Sequence, residues 1–366
     1  MKLLHVITSL RTGGAEKLMV DLLPKLRDLG NDVELLLFDG FRTEFMELLE
    51  SIDIKIHISR VGSSVYNPQN IFYLRNIINQ YDIVHTHNTA PQLFAPIAKE
   101  LIKGDGVRLV TTEHNTTNRR RNKPYLKFID RWMYSKYAKV ICISNQAEKN
   151  LRMYLNNDTS QICTIFNGID ISHFANQDIH FETNANKDYI IVSMVAAFRE
   201  QKDQQTLIRA FSLIPENFKL QLIGDGDLEL IEKSKDLVKQ LKLSNRVDFM
   251  GMRTDVPSIL HASDIIVLSS HYEGLSLSSL EGMASGRPFV ASDVDGLHEI
   301  VDGYGLLFPH EDAQALADII IKLSADESYA KKVALRCQER AKQFDINVMA
   351  RRYNSIYQEV YRLSSV

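Results

Sequence analysis

The sequence lacks the features that mark several large classes of protein. No stretch approaches the roughly 20 consecutive apolar residues that a transmembrane helix needs. The only three cysteines are Cys142, Cys163 and Cys337; because they are odd in number and far apart, neither a disulfide framework nor a cysteine zinc site is expected. No repeat of fixed period and no low-complexity tract is present. With 45% hydrophobic and 24% charged residues, the chain is typical of a folded globular protein.

The familiar sequence signals for cofactor binding and secretion are also missing. The first strand is followed by neither the three-glycine dinucleotide fingerprint nor a P-loop lysine. The strand-like run that begins at Lys2 ends at Thr8 without the small-residue cleavage pattern of a secretory leader. We therefore expect a cytoplasmic protein.

The length of 366 residues favours two domains over one. Strand-like apolar runs alternate with helical stretches, which indicates parallel βαβ units. The sequence thus predicts an α/β protein with two doubly wound, Rossmann-like domains facing each other across a cleft. Its predicted parts are an acceptor-binding domain at 1–174, a linker at 175–188, a nucleotide-sugar domain at 189–344 and a terminal helix at 345–366 that could pack back on the first domain.

Ligands of such folds bind outside the carboxyl ends of the strands, so candidate residues are sought there. The first strand leads into Gly13 and Gly14 at a helix start, where backbone amides can approach an anion closely. Glycine also serves any tight turn between a strand and a helix, so this signal alone is weak.

A stronger pattern follows the predicted strand DIIVLSS. Glu273 lies in the turn and Glu281 in the next helix. Donor-binding candidates between them are Gly274, Leu275, Ser276 and Leu277, whose backbone could approach a pyrophosphate at the helix start. Glu281 could accept hydrogen bonds from a ribose and Glu273 from a sugar. Solvated helix charges are the alternative reading.

This pair of glutamates, separated by seven residues, resembles the mark of glycosyltransferase family 4. Further segments match the signatures of that family in order and spacing over nearly the whole chain: GGAEKLMVDLL, DIVHTHN, TTEHN, CISNQAEKNL, IFNGID, EQKDQQTLIRAF, LIGDGDLE, VDFMG and PFVASDVDGLHEIV. The ordered series is far more specific than any single motif.

The resemblance implies a GT-B fold and a retaining transferase that needs no metal or cofactor, with a UDP- or GDP-linked sugar as co-substrate. Lys202 would pair with the donor phosphates and stabilise the leaving diphosphate. His114 would face the donor sugar near the anomeric carbon. Together with Glu273 these are the predicted catalytic residues, although a solvated lysine and a structural histidine are the alternatives.

Three further positions belong to the same expectation. His85 and His87 alternate along one strand and so point to the same face. They could ligate a metal, but no clear third ligand is evident, and we assign them to the acceptor side of the cleft wall. Glu299, preceded by Gly296, would belong to the turn that approaches the nucleotide, or would simply cap a helix.

One departure from the family pattern concerns diphosphate binding. The family commonly has an arginine five residues before the lysine, where this chain has Ala197. Arg199 lies nearby, and the sequence leaves open whether it compensates.

The first half of the chain has more basic than acidic residues, and much of the excess lies between Arg119 and Lys139. Arg119, Arg120 and Arg121 are acceptor-side candidates, and aromatic residues follow at roughly helical spacing. We expect a glycan or lipid-linked acceptor, an anionic membrane surface as a further partner, and no nucleic acid.

Two alternatives keep the fold but change the activity. An epimerase would isomerise the sugar without an acceptor. A non-catalytic subunit that binds nucleotide-sugars is favoured by Ala197. The presence of four residues argues against it: His114, Lys202, Glu273 and Glu281.

Overall fold

The computed structural model describes residues 1–11, 13–59, 64–102, 106–114, 123, 125–156, 160–174 and 189–362. The chain divides into two α/β units. The first comprises Met1–Gly168 and the chain from Ile346 onward, and the second comprises Ile169–Asp345. The sequence placed the end of the first domain at residue 174, and the predicted linker at 175–188 lies outside the described residues.

The first unit contains a seven-stranded parallel sheet. Its strand order is β3-β2-β1-β4-β5-β6-β7, so the direction of winding reverses between β1 and β4. The strands are β1 (Lys2–Ile7), β2 (Asp32–Leu37), β3 (Lys55–Ile58), β4 (Ile83–His87), β5 (Arg108–Glu113), β6 (Lys139–Cys142) and β7 (Ile162–Thr164). Its helices are α1 (Gly14–Asp28), α2 (Glu44–Ser51), α3 (Gln69–Ile77), α4 (Thr89–Glu100), α5 (Leu126–Ser135), α6 (Asn145–Leu155) and the terminal α15 (Ile346–Arg362).

The terminal helix is part of the core of the first unit. One face of α15, including Met349, Tyr353 and Tyr357, is buried in the same apolar cluster as residues of α1 and β1. This face follows the helical period, so its apolar residues share one side. The helix thereby carries two tyrosine hydroxyl groups into the interior beside the sheet.

The second unit contains a six-stranded parallel sheet of the same design. Its order is β10-β9-β8-β11-β12-β13, and the winding reverses between β8 and β11. The strands are β8 (Ile190–Val195), β9 (Phe218–Ile223), β10 (Val247–Gly251), β11 (Ile265–Leu268), β12 (Phe289–Ser292) and β13 (Leu306–Phe308). Its helices are α7 (Ile171–Phe174), α8 (Gln204–Phe211), α9 (Leu228–Gln240), α10 (Val256–Ala262), α11 (Leu277–Ala284), α12 (His298–Val301), α13 (Ala313–Ala325) and α14 (Glu327–Ala341).

The prediction of two doubly wound α/β domains is confirmed. The loops after β1 and β4 flank the winding reversal of the first sheet, and the loops after β8 and β11 flank that of the second. Reversal points of this kind leave a crevice at the carboxyl ends of the strands, where such folds bind ligands. Most candidate residues lie on these four loops or at the strand ends that lead into them.

Candidate active site

A buried ion pair joins the two loops at the winding reversal of the second unit. Lys202 ends the short 3-10 helix Glu200–Lys202 after β8, and its Nζ donates to Glu273 Oε1 at 2.5 Å. The side chains of Lys202 and Glu273 are only 15% and 5% exposed. Ser270 Oγ also donates to Glu273, at 2.6 Å. Two predicted site residues, 71 positions apart in sequence, are thus in direct contact.

The loop that carries Glu273 is held by a close backbone approach. Glu273 N donates to Asp295 O at 3.1 Å. Gly296 has a φ of +84°, and an added Cβ would overlap the carbonyl oxygens of Glu273 and Gly274. Only glycine fits this turn without strain. The residue that the sequence assigned to nucleotide approach therefore has a structural role as well.

Helix α11 begins at Leu277, with Ser276 as its N-cap residue, and the Ser276 side chain makes no capping hydrogen bond. The first backbone N–H groups of any helix lack intrahelical acceptors and attract anions. Glu281 lies on the buried face of α11 and is 9% exposed. Gly274, Leu275 and Ser276 precede the helix as an irregular turn. The donor-binding role of this set stays a prediction.

The side chains of the remaining donor-side candidates make no hydrogen bond or salt bridge with the ion pair in the described part of the chain, although Lys202 N donates to the carbonyl oxygen of Arg199 at 2.8 Å. Glu299 is exposed in the first turn of α12. Ala197 is partly buried, and its carbonyl oxygen accepts from Gln204 Nε2 at 3.1 Å. Arg199 is exposed and lines a pocket of about 550 Å³ whose described walls include neither Lys202 nor Glu273.

In the first unit, the turn after β1 contains Gly13 and Gly14 and leads into α1 in an extended conformation. Gly13 is the N-cap residue with a φ of −178°, and its carbonyl oxygen accepts from Lys17 N at 2.9 Å. A Cβ on Gly14 would meet open space, whereas one on Gly13 would meet the Glu16 side chain. The turn is open to an approaching group on the side of Gly14, and its role in donor binding stays a prediction.

A chain of hydrogen-bonded histidines ends at His114, directly after β5. His87 Nδ1 lies 2.9 Å from His114 Nε2, and His87 Nε2 lies 3.1 Å from His5 Nδ1. His5 Nε2 lies 3.4 Å from the hydroxyl of Tyr357, which also contacts His85 Nδ1 at 2.6 Å. His5 and His85 are register partners on β1 and β4, so the strand order brings them side by side.

At the end opposite His114, the hydrogen-bonded histidines contact hydroxyl groups. His85 Nε2 lies 2.8 Å from Thr112 Oγ1, which in turn lies 3.1 Å from the hydroxyl of Tyr353. His85 and His87 are buried, at 1% and 0% exposure. They present no surface to an acceptor, whereas His114 is partly exposed, and the acceptor-side role of His85 and His87 stays a prediction.

Burial keeps these imidazoles neutral near pH 7. It lowers the pKa of His5 to about 3 and that of His114 to about 4. Burial, followed by the proximity of the other histidines, lowers the pKa of His85 and of His87 well below the ordinary value. A neutral imidazole has one donor nitrogen and one acceptor nitrogen.

The hydroxyl group of Tyr357 has a single proton. The direction in which it donates that proton therefore sets the direction of every hydrogen bond from His5 to His114. If Tyr357 donates to His85, it accepts from His5, and the successive bonds leave His114 Nδ1 as an acceptor. If Tyr357 donates to His5, each bond reverses and His114 Nδ1 becomes a donor. The chain thus determines whether His114 offers a lone pair or an N–H group.

Nitrogen atoms of His5, His85 and His87 lie within 4.8 Å of one another, so His5 is the third histidine that the sequence did not identify. A metal ion bound by all three would have to displace a hydrogen bond at each ring, because both nitrogens of His5, His85 and His87 already have partners. The arrangement therefore favours a hydrogen-bonded chain over a metal centre.

The basic segment of the first unit contains a stripe of exposed apolar side chains. Tyr125, Phe128, Ile129 and Trp132 follow the helical spacing along α5, and Phe128 is 82% exposed. The opposite face buries Asp130, Met133 and Tyr134. The predicted acceptor-side residues Arg119, Arg120 and Arg121 lie outside the described residues.

Helices long and apolar enough to cross a membrane are absent from the part of the chain that the structure describes.

Sequence comparison matches both halves of the chain to known families. A family described as Glycosyltransferase Family 4 matches residues 12–173, and one described as Glycosyl transferases group 1 matches residues 175–344. N-acetyl-alpha-D-glucosaminyl L-malate synthase of Bacillus anthracis is 30% identical over 296 residues, which cover 77% of this chain and 75% of that protein.

Two other proteins are similar at lower identity. UDP-Gal:alpha-D-GlcNAc-diphosphoundecaprenol alpha-1,3-galactosyltransferase of Escherichia coli is 27% identical over 265 residues, covering 68% of this chain and 67% of that protein. The structure of HepE of Anabaena in complex with UDP and glucose superposes with a TM-score of 0.84 at 22% identity, with full coverage of both chains. At that identity the structural likeness establishes the GT-B fold.

Proposed function

We propose that this chain, which belongs to glycosyltransferase family 4, transfers a hexose or N-acetylhexosamine from a UDP- or GDP-linked donor to a glycan or lipid-linked acceptor, with retention of anomeric configuration. Its relatives include enzymes that are named for the transfer of such sugars. Cell-surface polysaccharide synthesis is the process that suits these substrates.

The observation that carries the proposal is the contact between Lys202 and Glu273. A lysine that is only 15% exposed, with a buried carboxylate as partner, is a positive charge already positioned at the winding reversal. When a donor binds, its diphosphate supplies a second anion within reach of the same ammonium group. Lys202 then stabilises the charge that develops as the diphosphate leaves.

The reaction is a substitution at the anomeric carbon. The acceptor oxygen forms a bond to that carbon while the bond to the diphosphate oxygen breaks. The leaving diphosphate takes the proton of the acceptor hydroxyl. Attack on the same face as departure retains the configuration, and no covalent enzyme nucleophile is needed because the charge is stabilised by Lys202 and by amide groups at the start of α11.

Binding and orientation are assigned to the other candidates. Glu281 accepts hydrogen bonds from the ribose, and Glu273 from a sugar hydroxyl once Lys202 is shared with the phosphates. Amides at Gly274, Leu275, Ser276 and Leu277 contact the pyrophosphate. The carboxylates thus hold hydroxyl groups, unlike the paired acid and nucleophile of a glycosidase.

In the first unit, His114 contacts the donor sugar, and Gly13 and Gly14 approach the donor at the start of α1. His114 Nδ1 is the nitrogen that the histidine chain leaves available. Its hydrogen bond to a sugar hydroxyl helps to hold the reacting geometry, which is a major source of rate enhancement. Because the imidazole is neutral, it orients the sugar without adding charge.

The exposed stripe on α5 supports an acceptor that resides at an anionic membrane. Tyr125, Phe128, Ile129 and Trp132 form one apolar face, and the exposed Arg131 lies beside it. Each Lys or Arg near such a surface contributes about 1 kcal/mol toward anionic lipid. A relative in Escherichia coli is named for an acceptor linked to diphosphoundecaprenol.

The activity is tested with purified protein and a panel of UDP- and GDP-sugars, with and without candidate lipid-linked acceptors. We expect release of nucleoside diphosphate and formation of glycosylated acceptor only when both substrates are present. Conversion of the donor into an isomer without acceptor would favour an epimerase. Donor binding without turnover for any acceptor would favour a non-catalytic subunit.

Membrane docking is tested by sedimentation with anionic liposomes at low salt, where charge screening is weakest. We expect the wild type to sediment, and Phe128→Ser with Trp132→Ser, or the joint change of Arg119, Arg120 and Arg121 to Ala, to release it. Phe72→Ser is the matched control because Phe72 is also an exposed aromatic residue of the first unit. Wild-type protein that stays in solution would indicate a soluble acceptor.

A further inference from the structure

Seven polar side chains of the first unit are hydrogen-bonded to one another in a single line. Six bonds with lengths between 2.6 and 3.4 Å join successive members. From the interior outward, the members of this hydrogen-bonded line are Tyr353, Thr112, His85, Tyr357, His5, His87 and His114. All of them except His114 are at most 1% exposed, and His114 is partly exposed. The line therefore leads from the terminal helix to the candidate sugar-binding nitrogen, His114 Nδ1.

The hydrogen-bonded line contains one proton more than its own bonds can use. Burial keeps the imidazoles neutral near pH 7, so each has one N–H group, and each hydroxyl has one O–H group. The seven members therefore supply seven protons, and the six bonds between them use six. When every bond has one donor and one acceptor, the surplus proton lies at one end of the line.

The two ends of the line differ in their access to a further acceptor. At the inner end, the hydroxyls of Tyr353 and Thr112 are buried and have no hydrogen-bond partner outside the line among the described residues. At the outer end, Nδ1 of the partly exposed His114 is free of bonds within the line. A buried O–H group without an acceptor is costly, whereas an accessible N–H group can donate to water or to a ligand. The surplus proton is therefore more stable on His114 Nδ1.

The two contacts of the Tyr357 hydroxyl differ in length. It lies 2.6 Å from His85 Nδ1 and 3.4 Å from His5 Nε2, and length alone would make it donate to the nearer atom. That direction would leave the surplus proton at the buried end of the line. A long hydrogen bond is weak, but a buried donor without any acceptor loses a whole bond. The proton balance therefore makes Tyr357 donate to His5.

We propose that Tyr357 is a positioning residue that fixes His114 in its Nδ1–H tautomer, so that His114 donates a hydrogen bond to an oxygen atom of the donor sugar. This inference rests on the proposed function, in which His114 contacts that sugar. Donation by Tyr357 makes His5 donate to His87, and His87 then donates to His114. The terminal helix thereby selects a sugar that presents an acceptor oxygen at this position, and the hydroxyl of that oxygen keeps its own proton for another partner.

Two substitutions on the terminal helix separate this role from packing. Tyr357→Phe cuts the line next to His5, whose two nitrogens then cannot both be paired in either direction. The two directions become closer in energy, and both tautomers of His114 become populated. Tyr353→Phe removes an equally buried hydroxyl one turn earlier, but Thr112 remains as the buried inner end. The surplus proton then stays on His114.

Nitrogen-15 NMR of full-length, histidine-labelled protein at neutral pH reads the tautomer, because protonated and unprotonated ring nitrogens have different chemical shifts. The signals of His114 are identified by their loss in His114→Ala, and urea unfolding verifies that each variant is folded. We expect the Nδ1–H form in the wild type and in Tyr353→Phe, and both forms in Tyr357→Phe. An Nε2–H form in the wild type, or the same His114 tautomer in both tyrosine variants, would overturn the proposal.

Steady-state kinetics connect the tautomer to sugar transfer. We expect Tyr357→Phe to lower kcat/KM about two- to tenfold, as the competent tautomer falls to between about a half and a tenth of the population, and Tyr353→Phe to lower it less than about twofold. Because Tyr357 acts through His114, Tyr357→Phe should cause no further loss in a His114→Ala background.

Two kinetic outcomes would contradict the account, and they differ in what they remove. An additive loss in the double variant would overturn the positioning role of Tyr357 alone. Unchanged transfer in His114→Ala would overturn the sugar contact of the proposed function, and the positioning role with it.

Discussion

The two units share one topology and differ in the electrostatics of their reversal points. Beside the reversal in the first sheet, His5, His85 and His87 form a buried chain whose members are neutral near pH 7. Beside the reversal in the second sheet, Lys202 and Glu273 form a charged pair that is also shielded from solvent. One unit places hydrogen-bonding groups there, and the other places charge.

This difference follows from what each unit is proposed to hold. A diphosphate has a concentrated negative charge that grows as it leaves, so it calls for a positioned cation. A sugar is uncharged and is recognised through hydroxyl groups that both donate and accept, for which neutral imidazoles suffice. The same type of α/β frame thus suits two kinds of ligand through the loop and strand-end residues at its reversal point.

The largest expected effect concerns pH and the neutral chain of the first unit. In the unfolded state a histidine takes up a proton near pH 6.5, whereas His5 and His114 in the folded state do so only near pH 3 and 4. Between these values the unfolded state binds more protons, so stability falls as the pH falls. From pH 7 to pH 5 we expect a loss of about 2 kcal/mol for each of these two histidines.

Urea unfolding at pH 7 and pH 5 measures this loss. His5→Asn should remove about half of the pH dependence attributed to the pair, because one of the two groups is gone. Equal stability of the wild type at both pH values would show that the histidines are already protonated in the folded protein and would break the contrast between the units.

The next largest effect concerns the charge in the second unit. Lys202→Ala should lower turnover about 10²–10³-fold, because its ammonium group stabilises the leaving diphosphate, and should weaken sugar recognition much less. Steady-state kinetics with a saturating acceptor measure both. Lys239→Ala, at an exposed lysine of α9 that pairs with Asp236, is the control and should behave as the wild type. Near-normal turnover of Lys202→Ala would remove it from catalysis.

A smaller effect is expected where α15 meets the histidine chain. Tyr357→Phe removes the hydroxyl group that contacts His85 and His5 and leaves buried nitrogens without a partner. We expect a loss of about 1–3 kcal/mol in the free energy of unfolding, measured with urea. Tyr361→Phe, one turn later on the exposed side of α15, should change stability by less than about 0.5 kcal/mol. Equal effects would mean that the Tyr357 hydroxyl is not part of the network.

The smallest effect concerns the missing arginine. If nothing compensates for Ala197, Ala197→Arg should raise the affinity for a nucleoside diphosphate about tenfold, which corresponds to about 1.4 kcal/mol. Calorimetry measures the change, with Ala197→Gln as a control that adds length without charge. Unchanged affinity in Ala197→Arg would show that Arg199 or another basic residue already fills the role.

Much of the fold could be predicted from the sequence, because alternating apolar strands and helices allow few arrangements other than doubly wound sheets. The start of α11 is less certain: the sequence predicts that this helix begins between Glu273 and Glu281, and the structure places its first residue at Leu277. Helix ends depend on local hydrogen bonds that a pattern of residue types does not resolve.

The sites could be predicted only in part. Family resemblance identified Lys202 and Glu273, but their contact depends on β8 and β11 being neighbours in the sheet. His5 was missed because its relation to His85 depends on strand register, although a doubly wound order makes β1 and β4 adjacent. The aromatic residues of α5 could have been core or surface, since helical spacing is the same in both cases; the structure exposes Phe128.

The central claim is that the charged unit holds the nucleotide and the neutral unit does not. Calorimetric titration of UDP and GDP into the wild type, Glu281→Ala and His114→Ala tests it most directly. We expect Glu281→Ala to weaken binding by about 1.5–3 kcal/mol, the cost of losing a hydrogen bond to a charged group, and His114→Ala to bind as the wild type. Equal affinity of the wild type and Glu281→Ala, together with a loss in His114→Ala, would contradict the account.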